Sequence, residues 1–248
     1  MDRKAVWDEE FSVRSFEADY AGRLKLSSLF NYFQEIAGHH AAHLWVGYDG
    51  LKKLGYYWVL SRARVMIHRL PAWGETVKVT TWPRTPDNLF FLRDFHVEDQ
   101  RHETLAVATT AWLLLESTHL KPQTAADIPV TFPTNDRQAA FTEPLKKLKP
   151  FALLRNADER RVMLSDLDVN NHVNNARYVD WIVDSLGSGE SCAKSIRALQ
   201  VNYLGQATLG DVVRISRGDE PPPAERSYVE GVDAVKGSKV VQALIEWA

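Results

Sequence analysis

The sequence predicts an α+β fold made of two copies of one unit, each a long helix wrapped by an antiparallel β-sheet. Three observations carry this. One order of segments occurs twice, 136 residues apart. First, Arg64-Val65-Met66-Ile67-His68 leads to Trp73-Gly74-Glu75 and then the alternating Thr76-Val77-Lys78-Val79-Thr80. Later, Gln200-Val201-Asn202-Tyr203-Leu204 leads to Leu209-Gly210-Asp211 and Val212-Val213-Arg214-Ile215-Ser216. Each occurrence follows one amphipathic helical stretch. Alternating βαβ units are absent, which sets a parallel, doubly wound sheet aside.

Taken along the chain, the first helix is predicted where Leu26, Leu29, Phe30, Phe33 and Ile36 follow the i, i+3, i+4, i+7 spacing. The strand, the Gly-acid turn and the second strand come next. Runs rich in β-formers at 89–97 and 105–115 finish the copy. Residues 131–150 hold three prolines and polar turn formers and have neither period, so they read as a linker. In the second copy Tyr178, Val179, Ile182, Val183 and Leu186 make the apolar helical face, and Gly187 is a natural stop. Runs at 226–235 and 239–247 close it. The expected organisation is a first domain at 1–130, a linker at 131–150 and a second domain at 151–248.

Composition excludes several classes. Of the 248 residues, 45% are hydrophobic and 25% charged, as in a globular chain with a sizeable core. A net charge of -2 provides no global basic field to recruit nucleic acid or anionic membrane. The longest wholly apolar run, 111–115, is far short of the roughly 18 residues a spanning helix needs. Met1-Asp2-Arg3-Lys4 leads into acidic residues rather than an apolar segment, so no secretory signal is expected. A single cysteine, Cys192, suits a reducing compartment. The expected setting is therefore cytoplasmic.

Nucleotide-binding, nucleophile-elbow and zinc-protease motifs are absent. Cys192 stands in a Gly/Ser stretch with nothing near it to activate a thiolate. His39, His40 and His43 suggest a metal site, with 39 and 43 on one helical face, but no third ligand follows at a recognisable spacing. Half-buried histidines at a helix end are expected there rather than a metal site.

The densest constellation is Asp166-Leu167-Asp168-Val169-Asn170-Asn171-His172-Val173-Asn174-Asn175, directly before the second helix. Asp168, Asn170 and His172 alternate, so in an extended stretch all three would point the same way. The helix N-terminus beside them would offer N–H groups and positive potential to a developing oxyanion. An imidazole moves protons near neutral pH, a carboxylate serves as base or nucleophile, and a carboxamide orients substrate or water. Asn/Asp-rich segments before helices are also ordinary turns and caps, and composition alone leaves both readings open. The first copy bears on this. Its equivalent, Asp19-Tyr20-Ala21-Gly22-Arg23, keeps the aspartate but has Ala21 for the asparagine and Arg23 for the histidine. Chemistry in one copy only is the asymmetry this predicts.

The run from Asp166 to Asn175, continuing through Tyr178 and Trp181-Ile182, resembles the D-L-D-V-N-x-H-V-N-N signature of the fatty acyl-ACP thioesterases. Arg64-Val65-Met66-Ile67, Pro71-x-Trp73-Gly74 and Thr110-Ala111-Trp112-Leu113 are similar to that family's first domain, and the likeness runs in order along nearly the whole chain. The resemblance implies tandem hotdog domains, hydrolysis of an acyl-carrier-protein thioester, and no metal or cofactor. It carries the family's Asp, Asn and His onto Asp168, Asn170 and His172, and implies an acyl chain held largely within the first domain. The plant enzymes have an acid followed by cysteine after the next strand; here those positions are Gln206 and Ala207. A Cys-His mechanism is therefore not expected. Gln206 can hold a water but cannot act as a base, so base duty falls to Asp168 and His172. Whether Asp168 attacks directly or activates water stays open.

Two alternatives accompany this expectation: a hotdog thioesterase acting on acyl-CoA, and an acyl-binding module without turnover. Hotdog hydratases resemble one another in a D-x-N-P-x-H run, which this sequence lacks. Acyl carrier protein is acidic, so Lys146, Lys147, Lys149, Arg155, Arg160 and Arg161 are docking candidates, with a solvated linker the plainer account. Pairing into a homodimer through sheet edges is left open.

Overall fold

The structure, a computed structural model, describes residues 4–128, 131, 133–187, 195–220 and 225–248; Cys192 lies outside them. The chain divides into two compact units, Met1–Leu145 and Lys146–Ala248. The first contains β1 (Trp7–Ser12), α1 (Leu26–His43), α2 (Tyr48–Lys53), β2 (Tyr56–Ile67), β3 (Thr76–Pro83), β4 (Phe91–Glu98), β5 (Thr104–Glu116) and β6 (Pro122–Gln123). Its strands pair antiparallel in the order β1-β3-β4-β5-β2, with β6 on β5. The second contains β7 (Arg155–Arg161), α3 (Asn175–Ser185), β8 (Ile196–Tyr203), β9 (Val212–Glu220), β10 (Arg226–Asp233) and β11 (Lys239–Trp247). Its antiparallel order, β7-β9-β10-β11-β8, repeats that of the first unit strand for strand. Each unit is a hotdog fold.

Helix α1 buries Leu26, Leu29, Phe30, Phe33 and Ile36, and the Phe33 ring lies 4.7 Å from Phe95 on β4. It extends past Ile36 to His43 because Ala37, His40 and Ala41 continue the same buried stripe. In α3, Tyr178, Val179, Ile182 and Leu186 are buried as the spacing predicts, but Val183 is exposed and Trp181 takes a place inside. Val183 sits at the margin of the stripe, where one hundred degrees per residue carries it outward. Gly187 has φ +80°, the left-handed conformation of a helix stop.

Two strands have no apolar alternation to announce them. β1 reads Trp-Asp-Glu-Glu-Phe-Ser, and β7 reads Arg-Asn-Ala-Asp-Glu-Arg-Arg. Both are strands because their backbones pair with β3 and β9, each at the end of its unit's strand order. Charged side chains on such a strand discourage pairing with foreign chains.

The segment after β6, read from sequence as the start of a linker, runs across the first unit without regular secondary structure. Trp82 Nε1 donates to the Gln138 carbonyl at 2.9 Å, Ala140 N to Asp94 Oδ2 at 2.9 Å and Arg84 to the Phe141 carbonyl at 3.2 Å. Phe141 and Leu145 are buried, and Arg62 donates to the Leu145 carbonyl. Asp94 is fully buried, which pushes its carboxyl pKa up; the Thr109 hydroxyl at 2.6 Å and the Ala140 amide oppose the shift.

The first unit enters α1 through a closed turn. Asp19 Oδ1 accepts from Ala21 N at 2.8 Å and Arg23 N at 2.9 Å, while Asp19 N donates to the Arg23 carbonyl at 2.7 Å. Gly22 supplies φ +73°. Leu24 N then donates to the Pro71 carbonyl at 2.8 Å, tying the turn to the β2–β3 connection. Asp19→Ala removes the acceptor for two amides and is expected to lower stability by about 1 kcal/mol in urea unfolding. Asp19→Asn, whose carboxamide oxygen accepts in the same place, is expected to recover most of that loss.

Candidate active site

The segment holding Asp168, Asn170 and His172 is built on the same device. Asp168 Oδ1 accepts from Asn170 N at 2.8 Å and, at 3.5 Å, from His172 N. Asp168 N donates to the His172 carbonyl at 2.8 Å, and Asn171 N to the Asp168 carbonyl at 3.0 Å. Asn171 has φ +60°, a conformation asparagine tolerates. Leu167 and Val173 form an isolated bridge across the turn. The extended alternation expected from sequence is thus not formed. An extended backbone would leave these amides without the Asp168 carboxylate, so the turn gathers the three side chains on one tight loop instead.

Asp168 and His172 are half-buried and Asn170 is exposed. The units differ at the second carboxylate oxygen. In the first copy Arg23 folds back to donate to Asp19 Oδ2 at 3.3 Å. In the second, where His172 replaces that arginine, Asp168 Oδ2 accepts no hydrogen bond among the described residues.

Gln206 lies in the β8–β9 connection, which the backbone brings against the exit of the turn. Val173 N donates to the Ala207 carbonyl at 3.0 Å. Ala207 is fully buried, so the position that carries cysteine in the resembling plant enzymes holds only an inward methyl here. The Gln206 side chain is exposed. Among the described residues no side-chain hydrogen bond joins Asp168, Asn170, His172 and Gln206 to one another.

Two tyrosines support this arrangement, and only one of them stood out in sequence, as part of the motif. Ala207 N donates to the Tyr178 hydroxyl at 3.2 Å, and Tyr203 OH donates to the Asn175 carbonyl at 3.2 Å. Burial, opposed by the Ala207 amide and helped by the negative fields of Asp211 and Asp168, pushes the Tyr178 pKa up to about 12. Burial also raises that of Tyr203. Both hydroxyls therefore stay neutral and hold backbone. Tyr203 was legible in sequence only as one position of an alternating strand. At the start of α3, Asn174 Oδ1 accepts from Ala176 N at 2.8 Å, and Arg177 N donates to the Asn174 carbonyl at 2.9 Å. Those two N–H groups are already paired, which narrows what the helix end offers to an oxyanion.

The other sequence candidates separate. His39 faces Glu9 at 2.9 Å and Glu35 at 3.2 Å, the His43 ring lies 4.8 Å from Trp7, and His40 is fully buried. Arg155 pairs with Asp219 at 3.3 Å, and Arg160 with Asp158 and Asp184 at 2.6 and 3.0 Å. Lys146, Lys147, Lys149 and Arg161 are exposed, and among the described residues no carboxylate is within ion-pair distance of the three lysines. Among the described residues, no helix is long and apolar enough to cross a membrane.

Comparison with known proteins places the chain in a family. Residues 4–128 match the acyl-ACP thioesterase N-terminal domain and residues 155–248 the C-terminal domain. An oleoyl-acyl carrier protein thioesterase of Coriandrum sativum is 28% identical over 84% of this chain and 61% of its own length. An acyl-[acyl-carrier-protein] hydrolase of Cuphea viscosissima is 30% identical over 98% of this chain and 62% of its own. The chain thus spans about three-fifths of the length of these two curated relatives. The crystal structure of an acyl-ACP thioesterase from Bacteroides thetaiotaomicron matches with a TM-score of 0.85 at 25% identity, over 100% of both chains. The 12:0-ACP thioesterase from Umbellularia californica matches with a TM-score of 0.82 at 25% identity, over 99% of this chain and 98% of that one. With family domains covering most of both units, the chain belongs to the acyl-ACP thioesterase family.

Proposed function

We propose that this protein hydrolyses fatty acyl-ACP thioesters, releasing free fatty acid and ending chain elongation, with the acyl tail inside the first unit and the chemistry at the Asp168–His172 turn. The observation that carries this reading is the uncommitted Oδ2 of Asp168, set against the arginine-bound Oδ2 of Asp19 in an otherwise equivalent turn. One oxygen of Asp168 builds the loop while the other is left for a reacting atom. The family of the chain supports the substrate class, and a cytoplasmic setting fits its single cysteine.

The roles follow from the side-chain chemistry. Asp168 Oδ2 takes a proton from water as its oxygen adds to the thioester carbonyl. Asn170 orients the water or the carbonyl, and Gln206, a hydrogen-bonding group with no basic site, helps to hold the water. As the tetrahedral intermediate collapses, the C–S bond breaks and the departing sulfur takes a proton from His172, which regains one from the protonated Asp168 through water as the site resets. Ala207 provides no thiol, so the scheme contains no cysteinyl intermediate.

Asp168→Asn separates loop from chemistry, because a carboxamide oxygen still accepts from the turn amides but cannot take the proton. Its expected result is an unchanged Tm with kcat on acyl-ACP lowered by roughly 100-fold or more. A comparable fall is expected for His172→Ala, and near-normal turnover by both variants rules the assignment out.

The exposed lysines are the proposed landing site for the acidic carrier. Lys146→Glu with Lys147→Glu is expected to raise KM for acyl-ACP while leaving small thioesters untouched. Equal changes with both substrates would count against carrier docking there.

A further inference from the structure

The two units join helix, turn and strand connection through matching backbone bonds. Leu24 N donates to the Pro71 carbonyl at 2.8 Å in the first unit, and Val173 N to the Ala207 carbonyl at 3.0 Å in the second. Further along, Glu75 N donates to the Ala72 carbonyl and Asp211 N to the Thr208 carbonyl, both at 3.0 Å. This correspondence sets Pro71 against Ala207 and Leu70 against Gln206. Counted from the paired aspartates, it sets Leu29 of α1 against Tyr178 of α3.

At these matched places the units differ as a pair. In the second, Ala207 N donates to the Tyr178 hydroxyl at 3.2 Å, and both residues are buried. In the first, Leu29 has no hydroxyl and Pro71 has no N–H, and both are likewise buried. The fold therefore closes this junction without the bond. A buried phenol and a buried amide must meet or each stays costly, whereas the apolar pair leaves nothing to satisfy. Packing does not account for the polar version.

The second unit gains a fixed backbone beside Gln206. Ala207 has its N–H held by α3 and its carbonyl held by Val173, the exit of the turn that carries Asp168 and His172. The Ala207 nitrogen belongs to the planar peptide that begins at Gln206, so a bond at that nitrogen orients the Gln206 backbone directly. The Tyr178 ring is in turn packed 5.2 Å from Trp181 and 6.1 Å from Tyr203.

We propose that Tyr178 is a positioning residue, whose hydroxyl acts through the Ala207 amide to hold Gln206 where it can hydrogen-bond the attacking water. This rests on the thioesterase reading above. Tyr178 touches no reacting atom, and its whole effect on turnover passes through Gln206. The unit without the chemistry has Leu70 in place of the glutamine and has dispensed with the tether as well.

The test compares kcat and KM on acyl-ACP for Tyr178→Phe, Gln206→Ala and the double variant. Tyr178→Phe is expected to lower kcat by about 10-fold with KM near that of the wild type, because placement of the water is lost rather than substrate binding. In the Gln206→Ala background the same substitution is expected to change kcat by less than about 2-fold. Equal losses in both backgrounds overturn the proposal, since a merely structural tyrosine is needed with or without Gln206. A Tyr178→Phe protein with wild-type kcat overturns it too. Should Tyr178→Phe fail to fold, Tyr178→Leu combined with Ala207→Pro, the first unit's own pair, leaves no buried amide unmet and decides by the same comparison. Failure of the wild type to hydrolyse any acyl-ACP would remove the thioesterase reading and this inference with it. Hydrolysis by a fully active Gln206→Ala variant would remove the inference alone.

Discussion

The structure depends on an aspartate carboxylate that closes the turn ahead of each unit's principal helix. Asp19 and Asp168 each gather the backbone amides two and four residues ahead, and the residue after each turn ties it to the connection between the two strands that follow the helix. Helix entry, turn and strand connection are thereby locked to one another by hydrogen bonds that an unpaired amide would make costly to lose. A site raised on such a turn inherits rigid backbone without any further device. The second unit sets Asn170 and His172 on a loop the first unit builds with Ala21 and Arg23, with Val169 for Tyr20 and Asn171 for Gly22 as the other changes.

That economy gives the asymmetry between the copies a physical meaning. Arg23 occupies the second oxygen of Asp19, which makes the first turn electrostatically complete. Removing that arginine from the corresponding place leaves the Asp168 carboxylate half used. The first unit spends its buried polarity elsewhere: Asp94 is satisfied by Thr109 and by the segment crossing the unit, while Arg93 has only neutral acceptors. Among the described residues, one unit thus keeps an uncommitted acceptor at a partly exposed loop, and the other a buried cation held by neutral acceptors beneath its helix.

Much of the fold was legible because its periods are plain. The stripe from Leu26 to Ile36, the alternation of 76–80 and the β-rich run at 239–247 correspond to α1, β3 and β11. β7 escaped because a strand at the end of a sheet carries charge on both faces, and backbone pairing rather than side-chain burial defines it. Val183 was misplaced by one helical step at the edge of a stripe, where spacing alone does not say which neighbour wins. At the candidate site the residue types were legible from their density, but their presumed strand geometry was not formed. A periodic pattern carries no information about a carboxylate that bonds to amides two and four residues ahead.

By itself, then, the sequence determined the two-copy α+β architecture, most of each helix face and the asymmetry of side chains between the two Asp-led segments ahead of the helices. Those features are local, set by spacing, glycine placement and residue type. Only the tertiary structure decided that Asp168 commits one oxygen and leaves the other, that the connection holding Gln206 meets the turn, and that Arg93 finds His40 rather than an acid. Each of these depends on which groups chain closure brings within about 3 Å of one another, and hydrogen bonding is too short-ranged for spacing along the chain to specify its partners.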